Sequence, residues 1–260
     1  MKLESIAIRQ LVAVMFFTIL ACSSLASDEI VPTPASLKII VYGSTGRVGS
    51  RVVNEALNRG HQVTAVSRDP ARVKQRHENL AAVQGDILDP ESLADLVAGQ
   101  DVIVVSVRGS ADKSKDPAKT TQRVAAELLV GVLRDMGDSA PRLIYVGGAG
   151  SLEVKPGVLY ADSIPGIMRM MMPRSLRQEI KGHILTLEYL RTVDDVRWTY
   201  ISPAKKFKPG ERTGIYRIGG NQMLKDAKGK SMISMEDFSV ALIDEAESSG
   251  HVGTRFSVAY

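Results

Sequence analysis

A strand that leads directly into a glycine-rich turn and then into a helix is the feature that most constrains this chain. Residues 37–42 form an apolar, largely β-branched run, which predicts a buried strand. Gly43, Gly46 and Gly49 follow at once with the spacing G-x-x-G-x-x-G. Residues 50–59 then place their apolar side chains on one face of a helix. We therefore expect a strand–turn–helix unit with the glycines at the carboxyl end of the strand.

The rest of the chain continues this alternation. Further strands are predicted over residues 62–67, 80–84, 101–107, 142–146 and 198–201, and further helices over residues 91–97, 121–136 and 176–193. Near the end, a strand over 215–218, a helix over 236–247 opened by a capping box at Ser234, and a strand over 255–258 are predicted. Strands that alternate with helices predict an α/β fold, a doubly wound parallel sheet with helices on both faces. Residues 205–260 are expected to form a small cap on the substrate side.

The three glycines favour a dinucleotide site of the Rossmann type. Gly43 permits the tight turn out of the strand. Gly46 lets backbone N–H groups approach a pyrophosphate at the positive N-terminus of the helix, and Gly49 lets the helix pack closely on the strand. The alternative interpretation is a tight turn without a ligand. The strand–turn–helix context favours the dinucleotide.

The end of the second strand indicates which dinucleotide is bound. Sites that prefer NAD usually place an acidic residue there, on the ribose 2′-hydroxyl. Here the strand ends in Ser67, Arg68 and Asp69. Arg68 can bind a 2′-phosphate through two hydrogen bonds, Ser67 can donate to the same phosphate, and Arg47 adds a second positive charge. Asp69 stands one position late and can instead open the turn at Pro70. We therefore predict NADP as the cofactor, with NADPH preferred over NADH; a solvated Arg68 is the alternative.

Other candidates lie where further strands end, since ligands bind at the carboxyl edge of such sheets. Asp86 can accept a hydrogen bond from the adenine amino group, or it can cap a local turn. Ser106 is expected beside the nicotinamide ribose, and Gly147 and Gly148 beside the nicotinamide and the substrate. The complete set of predicted cofactor-binding residues is Gly43, Thr45, Gly46, Arg47, Val48, Gly49, Ser67, Arg68, Asp86, Ile87, Ser106, Gly147 and Gly148.

Several segments resemble motifs of the atypical short-chain dehydrogenase/reductases. They are VYGSTGRVG at 41–49, GDILD at 85–89, LEYLR at 187–191, WTYISP at 198–203 and SMEDF at 234–238. The chain is most similar to the NAD(P)H-binding, NmrA-like branch, which includes flavin reductases of the biliverdin-reductase-B type. The resemblance covers residues 37–260 and implies a single Rossmann-type domain that binds a dinucleotide. It does not choose a substrate, because the branch contains reductases, isomerase-like enzymes and non-catalytic redox sensors.

The Tyr-x-x-x-Lys pair that typical members of the wider family carry is missing. No tyrosine of this chain is followed four residues later by lysine. By register with the 187–191 motif, the position of that pair falls near Glu179 and His183, with Lys181 between them. We therefore predict that His183 transfers the proton, that Lys181 contacts a phosphate or the ribose, and that Tyr160 covers the substrate. The alternatives are a structural His183, a solvated Lys181 and an acceptor, such as a flavin, that is protonated by solvent.

Two functions follow from these residues. The first is an NADPH-dependent oxidoreductase that passes a hydride to a small carbonyl, quinone or flavin. The second is an NADP(H)-binding redox sensor or assembly protein without turnover. The glycine loop supports both, whereas the missing Tyr-x-x-x-Lys pair favours the second.

The first residues predict export. A 12-residue apolar run at 11–22 follows a mildly positive start and is followed by small residues. This pattern predicts a signal peptide over residues 1–26, cleaved after its last residue, and a linker over 27–36. Alternatively, residues 19–22 resemble a lipoprotein box, in which Cys22 is acylated and anchors a periplasmic or secreted protein. An uncleaved anchor or a misassigned start are the remaining alternatives; without a signal peptide the protein is expected in the cytoplasm, where NADPH is available.

Composition excludes several other functions. The only cysteine, Cys22, lies in the apolar run, so the folded part has no disulfide, zinc cluster or cysteine nucleophile. The 33 basic and 29 acidic residues are spread along the chain without a basic block, which argues against a nucleic-acid partner. We expect a small-molecule substrate, a monomer or homodimer, and no stable transmembrane span in the mature chain. The methionine-rich segment 168–173 is interpreted as an apolar wall over a flat substrate, as core or loop packing, or, in an exported protein, as a methionine metal site.

Overall fold

The computed structural model describes residues 36–109 and 116–260. The predicted signal peptide, its cleavage site and Cys22 lie outside the described residues. Within the described ranges, every helix is too short or too polar to cross a bilayer.

The first half of the fold follows the predicted order of elements closely. Its strands are β1 (Lys38–Tyr42), β2 (Gln62–Ser67), β3 (Leu80–Gln84), β4 (Val102–Val105) and β5 (Arg142–Val146). Its helices are α1 (Gly49–Asn58), α2 (Pro90–Val97) and α3 (Thr121–Met136).

The second half carries more short elements than the sequence predicts. Its helices are α4 (Tyr160–Ser163), α5 (Gly166–Met171), α6 (Arg174–Leu190) and α7 (Met235–Ser248). Its strands are β6 (Glu153–Lys155), β7 (Val158–Leu159), β8 (Trp198–Pro203), β9 (Lys206–Lys208), β10 (Arg217–Gly219), β11 (Met232–Ser234) and β12 (Thr254–Ala259).

Eight strands form the main sheet, in the order β10-β12-β8-β5-β4-β1-β2-β3. All neighbours are parallel except β10 and β12, which pair antiparallel. The order reverses direction at β1, and ligands bind at such a switch point in open α/β sheets. The predicted doubly wound α/β fold is confirmed.

Helices cover both faces of the sheet with apolar side chains. On one face α1 and α7 bury Val52, Val53, Phe238 and Leu242 against the strands. On the other face α2, α3 and α6 contribute the buried Leu93, Ala126, Leu129, Leu187 and Leu190. Both layers exclude water from the sheet, so the strand ends at the carboxyl edge are held in fixed positions.

Some predicted boundaries were wrong for reasons that lie outside the local sequence. The fourth strand ends at Val105 instead of residue 107, because the chain at Ser106 turns to meet the glycine loop. The strand predicted at 215–218 begins only at Arg217, and Ile215 is exposed. The strand that begins at Trp198 continues beyond the predicted residue 201, because β12 pairs with it as far as Pro203.

The start of α7 is tied to the substrate-side cap by one carboxylate. The Ser234 hydroxyl accepts a hydrogen bond from the Asp237 amide at 2.9 Å, as the capping box predicts. The Asp237 carboxylate accepts from the amides of Thr213 and Gly214 at 2.7 and 2.8 Å and from the Tyr260 hydroxyl at 2.6 Å. Burial raises the pKa of Asp237, but the hydrogen bonds from Tyr260, Gly214 and Thr213 outweigh it and lower that pKa. The loop before β10 is thereby held against the N-terminus of α7.

Candidate functional site

The glycine loop brings three backbone segments closer together than side chains would permit. Gly43 has a φ of 79°, and a Cβ there would lie 2.3 Å from the Ser106 carbonyl oxygen. A Cβ on Gly49 would lie 2.2 Å from the Gly43 carbonyl oxygen. Gly46 donates its amide hydrogen to that same oxygen at 2.9 Å. The loop therefore closes against the ends of β1 and β4 and leaves a bare backbone surface at the start of α1.

Contacts on both sides fix the start of α1. The Ser44 hydroxyl donates to the Val66 carbonyl of β2 at 2.8 Å. Arg51 donates to the Arg47 carbonyl and to the Glu236 carboxylate, both at 2.6 Å. Because the first amides of a helix lack partners within the helix and carry partial positive charge, this rigid helix start is suited to bind a phosphate.

Two cavities meet at the loop and form one cleft along the carboxyl edge of the sheet. The β2-side cavity, of about 600 Å³, is lined by the ends of β1, β2 and β3. The β5-side cavity, of about 570 Å³, is lined by the loop after β5 and by α6. Both cavities are bordered by Thr45, Gly46, Ser106, Val107 and Arg108. The cleft passes over the glycine loop, as a bound dinucleotide would.

The predicted cofactor residues divide between the two cavities. The β2-side cavity is lined by Gly43, Thr45, Gly46, Ser67, Arg68, Asp86, Ile87 and Ser106. The β5-side cavity is lined by Thr45, Gly46, Arg47, Val48, Ser106, Gly147 and Gly148, and also by Tyr160 and His183. Of the thirteen, Gly49 lines neither cavity, because it packs against Gly43 inside the turn.

Arg72 lines the β2-side cavity together with Arg68. Asp69 accepts from the Ala71 amide at 3.2 Å and opens the turn that contains Arg72. Arg47 lines the β5-side cavity and is not among the residues that line the β2-side cavity. Its contribution of a second positive charge near Arg68 stays a prediction. The Asp-Pro-x-Arg segment after β2 was the available signal for Arg72.

Two polar groups of the β2-side cavity are engaged in local turns. The Ser67 hydroxyl donates to the Asp69 carbonyl at 2.9 Å, so its hydrogen is directed along the chain. Asp86 accepts a hydrogen bond from the Leu88 amide at 3.0 Å, so it caps the local turn, which was the alternative to a contact with adenine. Its second carboxylate oxygen is still available at the cavity for a ligand.

A buried hydroxyl without a partner also lies at this end of the cleft. Tyr42, the last residue of β1, lines the β2-side cavity, and its hydroxyl has no hydrogen-bond partner among the described residues. Burial raises the pKa of this phenol, so it is protonated and able to donate. An orphaned polar group beside a cradle of bare glycine backbone fits a ligand with acceptor atoms, as an adenine nucleotide has.

On the β5 side, two glycines let the rings of Tyr200 and His183 pack against the backbone that follows β5. A Cβ on Gly147 would lie 2.1 Å from the Tyr200 ring, and one on Gly148 would lie 3.3 Å from the His183 ring. The Tyr200 hydroxyl donates to the His183 carbonyl at 3.0 Å and lies 3.4 Å from His183 Nδ1. Burial lowers the pKa of His183 to about 4. The ring is therefore neutral at pH 7, and the ordinary pKa assumed for it from the sequence does not apply.

The other two predicted catalytic residues, Tyr160 and Lys181, line different cavities. Tyr160 lines the β5-side cavity, where Lys205 Nζ stands 5.2 Å from the centre of its ring. Lys181 is exposed and lines a third cavity, of about 550 Å³, with Arg169, Arg177 and Glu188. Residues two positions apart in a helix point in nearly opposite directions, so Lys181 does not join His183 in the cleft. Lys205 is the lysine that the fold brings there.

The methionine-rich segment does not form the predicted wall over the β5-side cavity. Met168, Met170 and Met171 are exposed, and only Met172 reaches a cavity, which is the third one. Core packing is also excluded for the three exposed side chains.

The depressed pKa of His183 predicts a loss of stability in mild acid. The pKa of His183 in the folded protein, about 4, lies below its ordinary value of about 6.5, so acid favours the unfolded chain. The contribution of this group to the free energy of unfolding is complete above pH 6.5 and is lost as the pH falls toward 4. Between pH 7 and pH 5 we expect a loss of about 2 kcal/mol from this group. Urea denaturation of the wild type and of His183→Asn at both pH values measures it. Equal pH dependence in the two proteins would contradict the assignment.

Comparison with known proteins agrees with this geometry. A family model described as NAD(P)H-binding matches residues 43–247. The uncharacterized protein YwnB of Bacillus subtilis is 34% identical over 225 residues, which are 85% of this chain and 98% of that protein.

Solved structures show the same fold at similar identity. A proposed epimerase from Bacteroides thetaiotaomicron superposes with a TM-score of 0.75 at 32% identity, over 86% of this chain and 97% of that one. A Burkholderia pseudomallei protein that is proposed to be exported superposes with a TM-score of 0.71 at 37% identity, over 86% of this chain and 100% of that one. A proposed NADH-flavin reductase from Streptococcus pneumoniae superposes with a TM-score of 0.69 at 29% identity, over 86% of this chain and 99% of that one. The chain belongs to the NAD(P)H-binding family of Rossmann-fold proteins that are similar to atypical short-chain dehydrogenase/reductases.

Proposed function

We propose that this protein is an NADPH-dependent oxidoreductase that transfers a hydride to a small carbonyl, quinone or flavin. The observation that carries the proposal is the pair of adjoining cavities that share the glycine loop, with Arg68 and Arg72 lining the β2-side cavity and Gly147 and Gly148 lining the β5-side cavity. When bound, the nicotinamide supplies the hydride. The bare backbone of the glycine loop would hold the pyrophosphate, and Asp86 and the Tyr42 hydroxyl would face the adenosine.

Cofactor preference is assigned to Arg68 and Arg72. Both line the β2-side cavity, where a 2′-phosphate would lie, and guanidinium groups bind phosphate through paired, charge-assisted hydrogen bonds. The one carboxylate at this strand end, Asp69, is engaged with the Ala71 amide at 3.2 Å. These residues support NADPH over NADH.

Acceptor chemistry is assigned to the β5-side cavity. The neutral His183 can orient an acceptor through a hydrogen bond, but it carries no imidazolium proton to give at pH 7. Tyr160 with Lys205 above its ring is the second polar group there. An acceptor that takes its proton from water, such as an oxidised flavin, therefore suits this cavity better than an unactivated ketone.

Oxidation of NADPH by the purified protein tests the proposal. We expect turnover with a flavin or quinone, followed as loss of nicotinamide absorbance, and little or none with simple ketones. Tyr160→Phe and Lys205→Met should each reduce the rate, while the exposed-site variant Val252→Ser, outside the cleft, should not.

An NADP(H)-binding sensor without turnover is the second candidate. The neutral His183 and the missing Tyr-x-x-x-Lys pair favour it, since neither leaves a ready proton donor at the acceptor. Tight NADPH binding without oxidation of any acceptor in the same assay would identify this function in place of the first.

We also propose that residues 1–26 direct the chain to export. The support is the apolar run of the sequence and the similarity, at 37% identity, to the protein proposed to be exported from Burkholderia pseudomallei. Mass spectrometry of the mature N-terminus distinguishes cleavage after Ala26 from an acylated Cys22 and from an uncleaved cytoplasmic chain.

A further inference from the structure

One short stretch of the surface concentrates exposed apolar side chains. Nine large hydrophobic residues are exposed among those described, and five of them lie between residues 167 and 176. We call this the α5 face; it comprises Ile167, Met168, Met170, Met171 and Leu176, which are 68%, 56%, 71%, 79% and 41% exposed. Single exposed apolar residues are ordinary, but a contiguous group of this kind marks a contact surface.

The α5 face is also positively charged. Residues 163–178 contain Arg169, Arg174 and Arg177 and no aspartate or glutamate; Asp162 and Glu179 adjoin this segment on either side, so the three arginines leave an excess of positive charge. All three arginines are exposed, and none makes a side-chain hydrogen bond or ion pair with another described residue. Their charges are therefore free to meet an external anion.

We propose that the α5 face binds an anionic lipid surface. Apolar side chains that enter the headgroup region, flanked by arginines that meet anionic headgroups, are the combination by which surface segments bind membranes. Flexible methionine side chains adapt readily to a disordered apolar environment.

A second copy of this chain suits the α5 face less well. A symmetric dimer would bring the same patch of two subunits together. Each patch carries three unpaired arginines, so the contact would place six like charges around one apolar core. An anionic bilayer presents the opposite charge over the whole contact.

The position of the face connects it with the cleft. Leu176 belongs to the α5 face and also lines the β5-side cavity, while Arg169 and Arg177 border the third cavity. Membrane binding would therefore hold the acceptor end of the cleft at the lipid surface, which favours an apolar acceptor such as a quinone. This consequence rests on the proposed function, whereas the lipid contact itself does not.

Fluorescent labels at two exposed positions test the contact. The full chain with Cys22→Ser carries one new cysteine, either Met170→Cys in the face or Val252→Cys outside it, and each is labelled with a polarity-sensitive dye. Both positions are exposed, at 71% and 42%, so the labels leave the core intact. The proteins are mixed with phosphatidylcholine vesicles that contain brominated lipid and either no phosphatidylglycerol or one quarter phosphatidylglycerol. No dinucleotide is added.

On the anionic vesicles we expect a blue shift and bromine quenching at position 170 and neither at position 252. Arg169→Gln with Arg177→Gln should weaken the binding about 30-fold, since each arginine near such a surface contributes about 1 kcal/mol. A label at Met171→Cys should respond as the one at position 170 does. Because residues 1–35 are present in every protein, only a local contact can separate the two label positions.

Three outcomes would overturn the proposal. Equal responses at positions 170 and 252 would mean that the face makes no contact of its own. Equal binding to neutral and anionic vesicles would exclude the role of the arginines. A shift at position 170 that grows with protein concentration in the absence of vesicles would assign the face to a second copy of the chain. NADPH takes no part in the assay, so failure of the proposed function would leave these results unchanged.

Discussion

Replacing Gly43 by alanine is expected to abolish NADPH binding and to lower the free energy of unfolding by roughly 3 kcal/mol. A residue with a side chain is strained at a φ of 79°, and the new Cβ would lie 2.3 Å from the Ser106 carbonyl oxygen and 2.8 Å from its carbon. Both are backbone atoms of the end of β4, so relief requires the loop itself to move. Urea denaturation and a fluorescence titration with NADPH measure the two effects.

Gly131→Ala is the matched control. This glycine lies within α3, and a Cβ there would meet nothing within 4 Å. Alanine should therefore stabilise the helix by roughly 0.5–1 kcal/mol and leave NADPH binding unchanged. If Gly43→Ala behaved like Gly131→Ala, the close approach of the loop to β4 would be wrong.

Removal of the Arg68 side chain is expected to erase the preference for NADPH. A charge-assisted hydrogen bond to phosphate contributes about 1.5–3 kcal/mol, which corresponds to a loss of roughly 10- to 150-fold in affinity. NADH lacks the 2′-phosphate, so its affinity should stay within about twofold. Arg72→Ala should act in the same direction, because Arg72 lines the same cavity. Titration of each variant with both nucleotides gives the ratio.

Arg76→Ala serves as the control for charge. Arg76 donates to the carbonyls of Val73 and Gln75, at 2.7 and 2.8 Å, and lines none of the three cavities. Its loss should change neither affinity. If Arg68→Ala weakened the binding of NADH as much as that of NADPH, the Arg68 guanidinium would be stacking on the adenine. Residues other than Arg68 would then decide between the two cofactors.

The elements that the sequence predicts well are those whose signals are local. β2, β3 and β5 begin and end at the predicted residues, because short runs rich in apolar residues between polar or turn residues determine them. The glycine loop is equally local, since strand, turn and helix are consecutive. The Ser234 cap of α7 was predictable for the same reason. The hydrogen bonds that the Asp237 carboxylate accepts from Thr213 and Tyr260 were not, because only the folded chain brings these residues together.

The acceptor side could not be predicted in the same way. The meeting of Tyr160 with Lys205 depends on how the segment after β5 folds back over the end of β8. The separation of Lys181 from His183 depends on the rotation of α6 about its axis, which the sequence alone left undetermined. The pKa of His183 depends on burial, which a residue type does not reveal.

The order of strands in the sheet has a consequence for how the chain folds. β1 pairs with β2 and β2 pairs with β3 across the shortest loops of the main sheet, with partners 24 and 17 residues apart, whereas β1 and β4 pair across 63 residues and β8 and β12 across 55. Pairings between distant segments form late, since a long loop must close before any contact offsets its entropy. The unit β1-β2-β3, which carries the glycine loop and Arg68, is therefore expected to form first. A dinucleotide could then bind a nascent sheet and draw the remaining strands into place by mass action.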